Sequence, residues 1–202
     1  MVRRRYVILG RDAIASDDFL LDDVPGTSGR LDVGLRCIRA ALLVSHGVRR
    51  DTAVYLVLGG GPRAPRALRV SGAEVRFVRP DERSLALLAR KALARREDEA
   101  GPGFHDVRPG IAIASGGLED VLADVAGSTL YVLDESGTDV RAAPGLDGGA
   151  VAFFVGDPGG FDPRASEQLA ALGARPIRVG PVSVHAEDVV VLVNNEIDRR
   201  TS

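Results

Sequence analysis

The chain alternates between short continuous apolar runs and longer stretches in which apolar residues recur every three or four positions. The first kind predicts strands at Arg5–Leu9, Ala53–Leu58, Ala67–Val70, Val75–Val78, Ile111–Ala114, Thr129–Leu133, Ala150–Val155 and Arg175–Val179. Such runs lack polar alternation, as expected of strands covered on both faces. The second kind predicts helices. Leu31, Leu35, Ile38 and Leu42 form one face, with a stop at His46-Gly47, and Leu85, Leu88, Ala92 and Leu93 form another within residues 81–96. Gly117–Val125 is a shorter helix. The segment from Asp162-Pro163 to Leu172-Gly173 has a capping aspartate, a first-turn proline and a terminal glycine.

The apolar run Val189–Val193 is ambiguous: its β-branched residues favour a strand, while Glu187 and Asp188 before it and Arg199-Arg200 after it suit a helix dipole. Residues 97–110 read as a surface connection, and the region around GGGPRAPRALRVSGAEVRFV as a hairpin-like excursion. Strands alternating with helices predict an α/β fold with a mostly parallel sheet and helices on both faces, in one domain spanning 1–202.

Composition narrows the function. The 202 residues carry one cysteine, Cys37, in an apolar helical pattern, and three scattered histidines, His46, His105 and His185. This gives no disulfide and no metal-ligand spacing. No apolar run is long enough for a membrane span, and a soluble, cytoplasmic protein is expected. The net charge of −2 hides an asymmetry: residues 1–100 hold 19 basic and 13 acidic residues, and residues 101–202 hold 7 and 15. The first half is therefore the half suited to phosphates.

Gly59–Pro62 (GGGP) follows a strand but precedes no helix, so it lacks the anion-binding helix N-terminus of a dinucleotide site. GxxxxGK[ST] and GxSxG are absent. Two features stand out. FFVGDPGGF and IRVGPVSVHAED are strand ends bearing glycine, where a ligand can approach backbone beyond a parallel sheet. In GTSGRLDVGLRCIR, Arg30 and Asp32 stand at a helix entrance; the helix dipole favours Asp32 there but not Arg30.

YVILG, GRLDVGLRCIRAALLVSHGVRRDTAVYLVLGG, VRFVRPDERSLALLARKAL, GGLEDVL, FFVGD and VGPVSVHAEDVVVLVNNEIDR occur in that order and cover nearly the whole chain. Together they resemble the archaeal-type tRNA pseudouridine-54 N1-methyltransferases (the TrmY family) of the SPOUT class. The resemblance implies a C-terminal deep trefoil knot at about 129–202, S-adenosylmethionine as cofactor, tRNA as substrate, and a homodimer with its site at the subunit interface. It implies cofactor contacts at Leu133, Gly156, Val179, Gly180, Pro181, Val182, Ser183, Val184 and Val189. Asp32 with Arg30 is then the first candidate for catalysis, and Asp81 with Arg83 in PDERS the second; Arg49, Arg50, Arg63, Arg66 and Arg69, in the positive first half, are the candidate RNA contacts. An apolar dimer seam is expected from Val190, Val193 and Ile197. The family pattern Ser-Leu-His-Ala-Asp-His-Cys here reads Ser183-Val184-His185-Ala186-Glu187-Asp188-Val189. Small-subunit rRNA as acceptor, and a catalytically inactive knotted module that binds RNA or a small ligand, are the alternatives.

Overall fold

The computed structural model describes residues 2–95, 102–157 and 160–201. Eight strands form one sheet: β1 (Arg4–Ile14), β4 (Thr52–Gly60), β5 (Arg66–Ser71), β6 (His105–Arg108), β7 (Ile111–Ala114), β8 (Thr129–Asp139), β9 (Val151–Gly156) and β10 (Arg175–Arg178). A separate two-stranded ribbon joins β2 (Leu43–Val44) to β3 (Gly47–Val48). The helices are α1 (Val24–Thr27), α2 (Leu31–Leu42), α3 (Glu82–Leu93), α4 (Leu118–Asp124), α5 (Pro163–Ala171) and α6 (Ala186–Thr201).

The order across the sheet is β10-β8-β9-β1-β4-β5-β7-β6. The first five of these strands run parallel, and β5, β7 and β6 extend the sheet antiparallel. Alternate residues of β1 show why the apolar runs are continuous. Tyr6 and Ile8 enter one buried layer with Leu35, Ile38, Leu85 and Val193, while Val7 enters the other with Val121 and Leu169. Helices α2, α3 and α6 therefore cover one face, and α4 and α5 the other. Tyr6, Phe153 and Tyr131 stack across β1, β9 and β8, with centroid separations of 5.4 and 5.6 Å.

Several elements differ from the pattern-based expectation. Val75–Val78 is not a strand. Val75 is buried, but Arg76 and Phe77 point outward, and Phe77 has φ 58°. The Arg50 guanidinium holds the carbonyls of Gly72 and Val75 instead. Helix α2 ends at Leu42 rather than at His46-Gly47, which form the β2–β3 turn. The expected surface connection contains β6, and its residues 97–101 lie outside the described ones, as does Arg96 at the end of the helix expected over 81–96. The ambiguous C-terminal run is helical. Val190, Val193 and Ile197 recur at helical spacing and are buried against the sheet, and the helix period outweighs the local β-branched preference.

A polar cluster fixes α6 to the start of β1. Arg4, nearly shut from solvent, donates to Asp198 Oδ1 at 2.6 Å and to Asn194 Oδ1 at 3.1 Å. Tyr6 Oη donates to the same Asn194 oxygen at 2.9 Å, and Arg49 grips Asp198 with two bonds of 2.9 and 2.6 Å. Burial works to raise the Asp198 pKa, but the hydrogen bonds and charges of Arg49 and Arg4 outweigh it and hold the carboxyl below its ordinary value. A depressed carboxyl stabilises the fold above its unfolded pKa of about 3.9, and that contribution fades as pH falls through the folded value. Asp198→Asn should cost about 1–2 kcal/mol at pH 7, discounted for the partial exposure of Asp198, and less at pH 3. Urea unfolding of both proteins at the two pH values checks this.

Candidate functional site

The carboxyl ends of β9 and β10, with residues 133–135 of β8, line a cleft of about 1110 Å³. Leu133 lies at its β8 wall and Gly156 ends β9, while Val179, Gly180, Val182, Ser183, Val184 and Val189 line the loop and first turn that follow β10. Eight of the nine expected cofactor residues therefore meet at one cavity. Pro181 sits in the same loop but does not line the cleft. Gly180 faces open space, and a side chain on Gly156 would press on the backbone of Gly160 at 3.1–3.3 Å. Among the described residues lining the cleft are three arginines (Arg30, Arg36, Arg178) and five carboxylates (Asp134, Glu135, Asp157, Glu187, Asp188). Such a wall favours a cationic ligand over a phosphate.

A second cavity of about 180 Å³ lies beside it, at the ends of β1 and β4 and the entrance of α2. Arg30, Val33 and Asp157 line both cavities. The small one is mostly apolar, with Ile8, Leu31, Leu56 and Leu58 among its walls.

Local backbone puts Arg30 at this junction. Gly29 has φ 60°, and a Cβ there would lie 1.8 Å from the Asp12 carbonyl oxygen. Arg30 follows at φ 68°, a strained conformation for a side-chain-bearing residue. Its charge, unfavourable at a helix start, is offset at once: Nε donates to Asp32 Oδ1 at 3.1 Å and Nη2 to Oδ2 at 3.3 Å. Arg36 adds a 2.6 Å bond to Asp32 Oδ2. Asp32 is 1% exposed. Burial alone would raise its pKa, but the two arginines prevail and hold the carboxyl below its ordinary value.

The second catalytic candidate is placed elsewhere. Asp81 caps α3 by accepting from the Ser84 amide at 2.8 Å, and Arg83 pairs with Asp22. Neither lines the two cavities. The helix start that recommended this pair accounts for Asp81 in full.

The five arginines expected to meet RNA are occupied within the fold. Arg66 is 2% exposed and donates to the carbonyls of Ala15, Leu93 and Arg95, which makes it a core residue. Arg63 also binds the carbonyls of Leu93 and Arg95, and Arg50 those of Gly72 and Val75. Arg49 holds Asp198, and Arg69 pairs with Asp124 and lies 4.8 Å above the Phe104 ring. Residue type alone could not distinguish these from exposed cations. Arg76 and Arg79, missed by the sequence reading, are exposed and make no hydrogen bond or ion pair among the described residues; Phe77 between them is 95% exposed.

Residues 3–202 match a family described as "Putative SAM-dependent RNA methyltransferase". The chain belongs to this family. It is 40% identical over 200 residues to a tRNA (pseudouridine(54)-N(1))-methyltransferase of Methanosarcina acetivorans, covering 97% of this chain and 91% of that protein. It is 37% identical over 195 residues to the protein of the same description from Halobacterium salinarum, covering 96% of each. In fold, this RNA methyltransferase family member is similar to Archaeoglobus fulgidus Nep1 bound to S-adenosylhomocysteine, with a TM-score of 0.63, 19% identity, and coverage of 98% and 99% of the two chains.

Replacing Arg66 by alanine takes the guanidinium donor from the Ala15 carbonyl and opens a void in the core, while Arg63 still holds the carbonyls of Leu93 and Arg95. Arg66→Ala should therefore cost about 3 kcal/mol of stability, measured by denaturant unfolding.

Proposed function

We propose that this protein transfers a methyl group from S-adenosylmethionine to N1 of pseudouridine 54 in tRNA. The observation that carries the reading is the meeting of two cavities at Arg30, Val33 and Asp157. The larger suits the donor and the smaller, equal in volume to about six waters, suits a single base. Support comes from the full-length similarity to enzymes that bear this activity in their names.

The residues present fit the donor. The loop of Val179–Val184 offers backbone groups around Gly180, and the surplus of carboxylates along the cleft suits a positively charged sulfonium. When bound, S-adenosylmethionine supplies a methyl group on that sulfonium, ready for in-line displacement. What remains for the chain is alignment and the handling of one proton.

Arg30 stands on the wall shared by both cavities, where its free donors can hold a carbonyl or phosphate of the acceptor. Asp32 fixes Arg30 from behind. Asp32 is kept ionised by its two arginines, is buried and lines neither cavity, so its role is to hold Arg30 in place, and the N1 proton passes to water. Around neutral pH Asp32 therefore contributes no titration of its own. Away from the cleft, Arg76, Phe77 and Arg79 are the exposed groups we assign to RNA, the ring as a stacking surface and the cations for phosphate. We take α6 as the segment threaded through the knot of 129–202.

We also assign a second copy of the chain to the exposed flank of α6. Val190, Val193 and Ile197, expected at a dimer seam, are buried in the protein's own core. Val191 and Leu192 are the exposed apolar residues of that helix, and Val182 and Val184 those of the preceding loop. Leu192→Asp should convert a dimer to a monomer in light scattering at micromolar concentration; a wild type that is already a monomer would refute the assignment.

The test of the activity is methyl transfer to tRNA carrying pseudouridine or uridine at position 54. Only the pseudouridine substrate should react, and equal reaction of uridine would refute the chemistry. Arg30→Ala should lower kcat about 100-fold, while calorimetry finds S-adenosylmethionine binding little changed.

A further inference from the structure

Four charged side chains form a line from the small cavity to the loop of the large one. Arg30 and Arg36 hold Asp32 as described, and Arg36 Nε donates to Glu187 Oε1 at 2.7 Å. Glu187 is the second residue of α6, directly behind the cleft-lining segment of residues 182–186. Its other oxygen, Oε2, is shut from solvent and has no hydrogen-bond partner among the described residues, so the hold of Glu187 on the rest of the site runs through Arg36.

The charges of the line cancel. Two guanidinium groups face two carboxylates, one of them fully buried. Without Glu187, Arg36 would keep only Asp32. Its neighbour Asp188 cannot take over this role. It lines the cleft but makes no ion pair among the described residues, and its amide is tied to the His185 carbonyl at 2.9 Å.

We propose that Glu187 is a positioning residue that ties the donor loop, through Arg36, to the Asp32–Arg30 pair on the acceptor side. The proposal rests on the assignment of the two cavities above. Movement of the first turn of α6 then carries Arg36 with it and changes where Asp32 and Arg30 stand, so filling the large cavity aligns the small one. Such a role lies in the chain's own side chains and adds no step to the chemistry.

The test uses the full chain as wild type, Glu187→Gln, Glu187→Asp, Arg36→Gln and the double variant Glu187→Gln/Arg36→Gln. Single-turnover methyl transfer to pseudouridine-containing tRNA should fall about tenfold in Glu187→Gln, with S-adenosylmethionine affinity by calorimetry changed by less than about threefold. Glu187→Asp, which keeps the charge, should recover part of the rate. The double variant should be no slower than the slower single one, because the residues act as a unit. Hydrogen exchange at amides 30–36 should quicken in Glu187→Gln, a readout that needs no turnover. A wild-type rate in Glu187→Gln, multiplied losses in the double variant, or unchanged exchange at 30–36 would overturn the proposal. A rate loss matched by an equal loss of cofactor affinity would overturn it too, since Glu187 would then be a direct donor contact. An inactive wild type whose Glu187→Gln variant still exchanges faster at 30–36 would instead count against the assigned activity and leave the link standing.

Discussion

The docking of α6 onto the start of β1 is the constraint on which the cleft depends. Arg4 brings a charge into a nearly closed space, and it can remain there because Asp198 and Asn194 of α6 meet it. Burying an ion pair gives little net stability, but leaving one partner alone is costly, so the cluster acts mainly to exclude other placements of the helix. Once the C-terminal half of α6 is fixed, its first turn and the loop before it have one position relative to β9 and β10. That position closes the side of the large cavity.

The core and the site are held by different physics. Val, Leu, Ile and Ala cover both faces of the sheet, and their burial supplies the bulk of the stability without specifying any one register of α6. Hydrogen-bonded charges do the specifying, at Arg4–Asp198–Arg49 near the N-terminal end of the sheet and at Arg30–Asp32–Arg36–Glu187 near the C-terminal end. Both sets join α6 to elements from the first quarter of the chain. Arginine suits this use, because its fork can serve two acceptors at once, as Arg36 serves Asp32 and Glu187.

Strand positions were legible because a strand covered on both faces leaves an unbroken apolar run, and the glycine-bearing ends of β9 and β10 marked the cleft. The motif resemblance implies that the loop of 179–184 meets the cofactor, and all of its residues except Pro181 line the one cleft. Arginine roles were not legible: a guanidinium that binds carbonyls inside the fold, as in Arg66, has the same sequence signature as one in solvent. Val190, Val193 and Ile197, expected at a seam, face the protein's own core instead, because one step along a helix turns a side chain by about 100° and only Val191 and Leu192 are left outside. The Val75–Val78 run has the apolar pattern of a strand, but the Val75 carbonyl accepts from the Arg50 guanidinium rather than from a neighbouring strand. Long-range pairing of this kind is invisible to any local pattern.

The left-handed turn before α2 has a further consequence. Two successive residues, Gly29 and Arg30, occupy the positive-φ region, and the second has no glycine to relieve it, a local expense of about 1–3 kcal/mol. The Asp12 carbonyl leaves room beneath Gly29 for a hydrogen and nothing larger. One α-carbon without a side chain therefore decides where the neighbouring guanidinium stands, and the most exacting coordinate of the site is written in a residue that carries no chemistry at all.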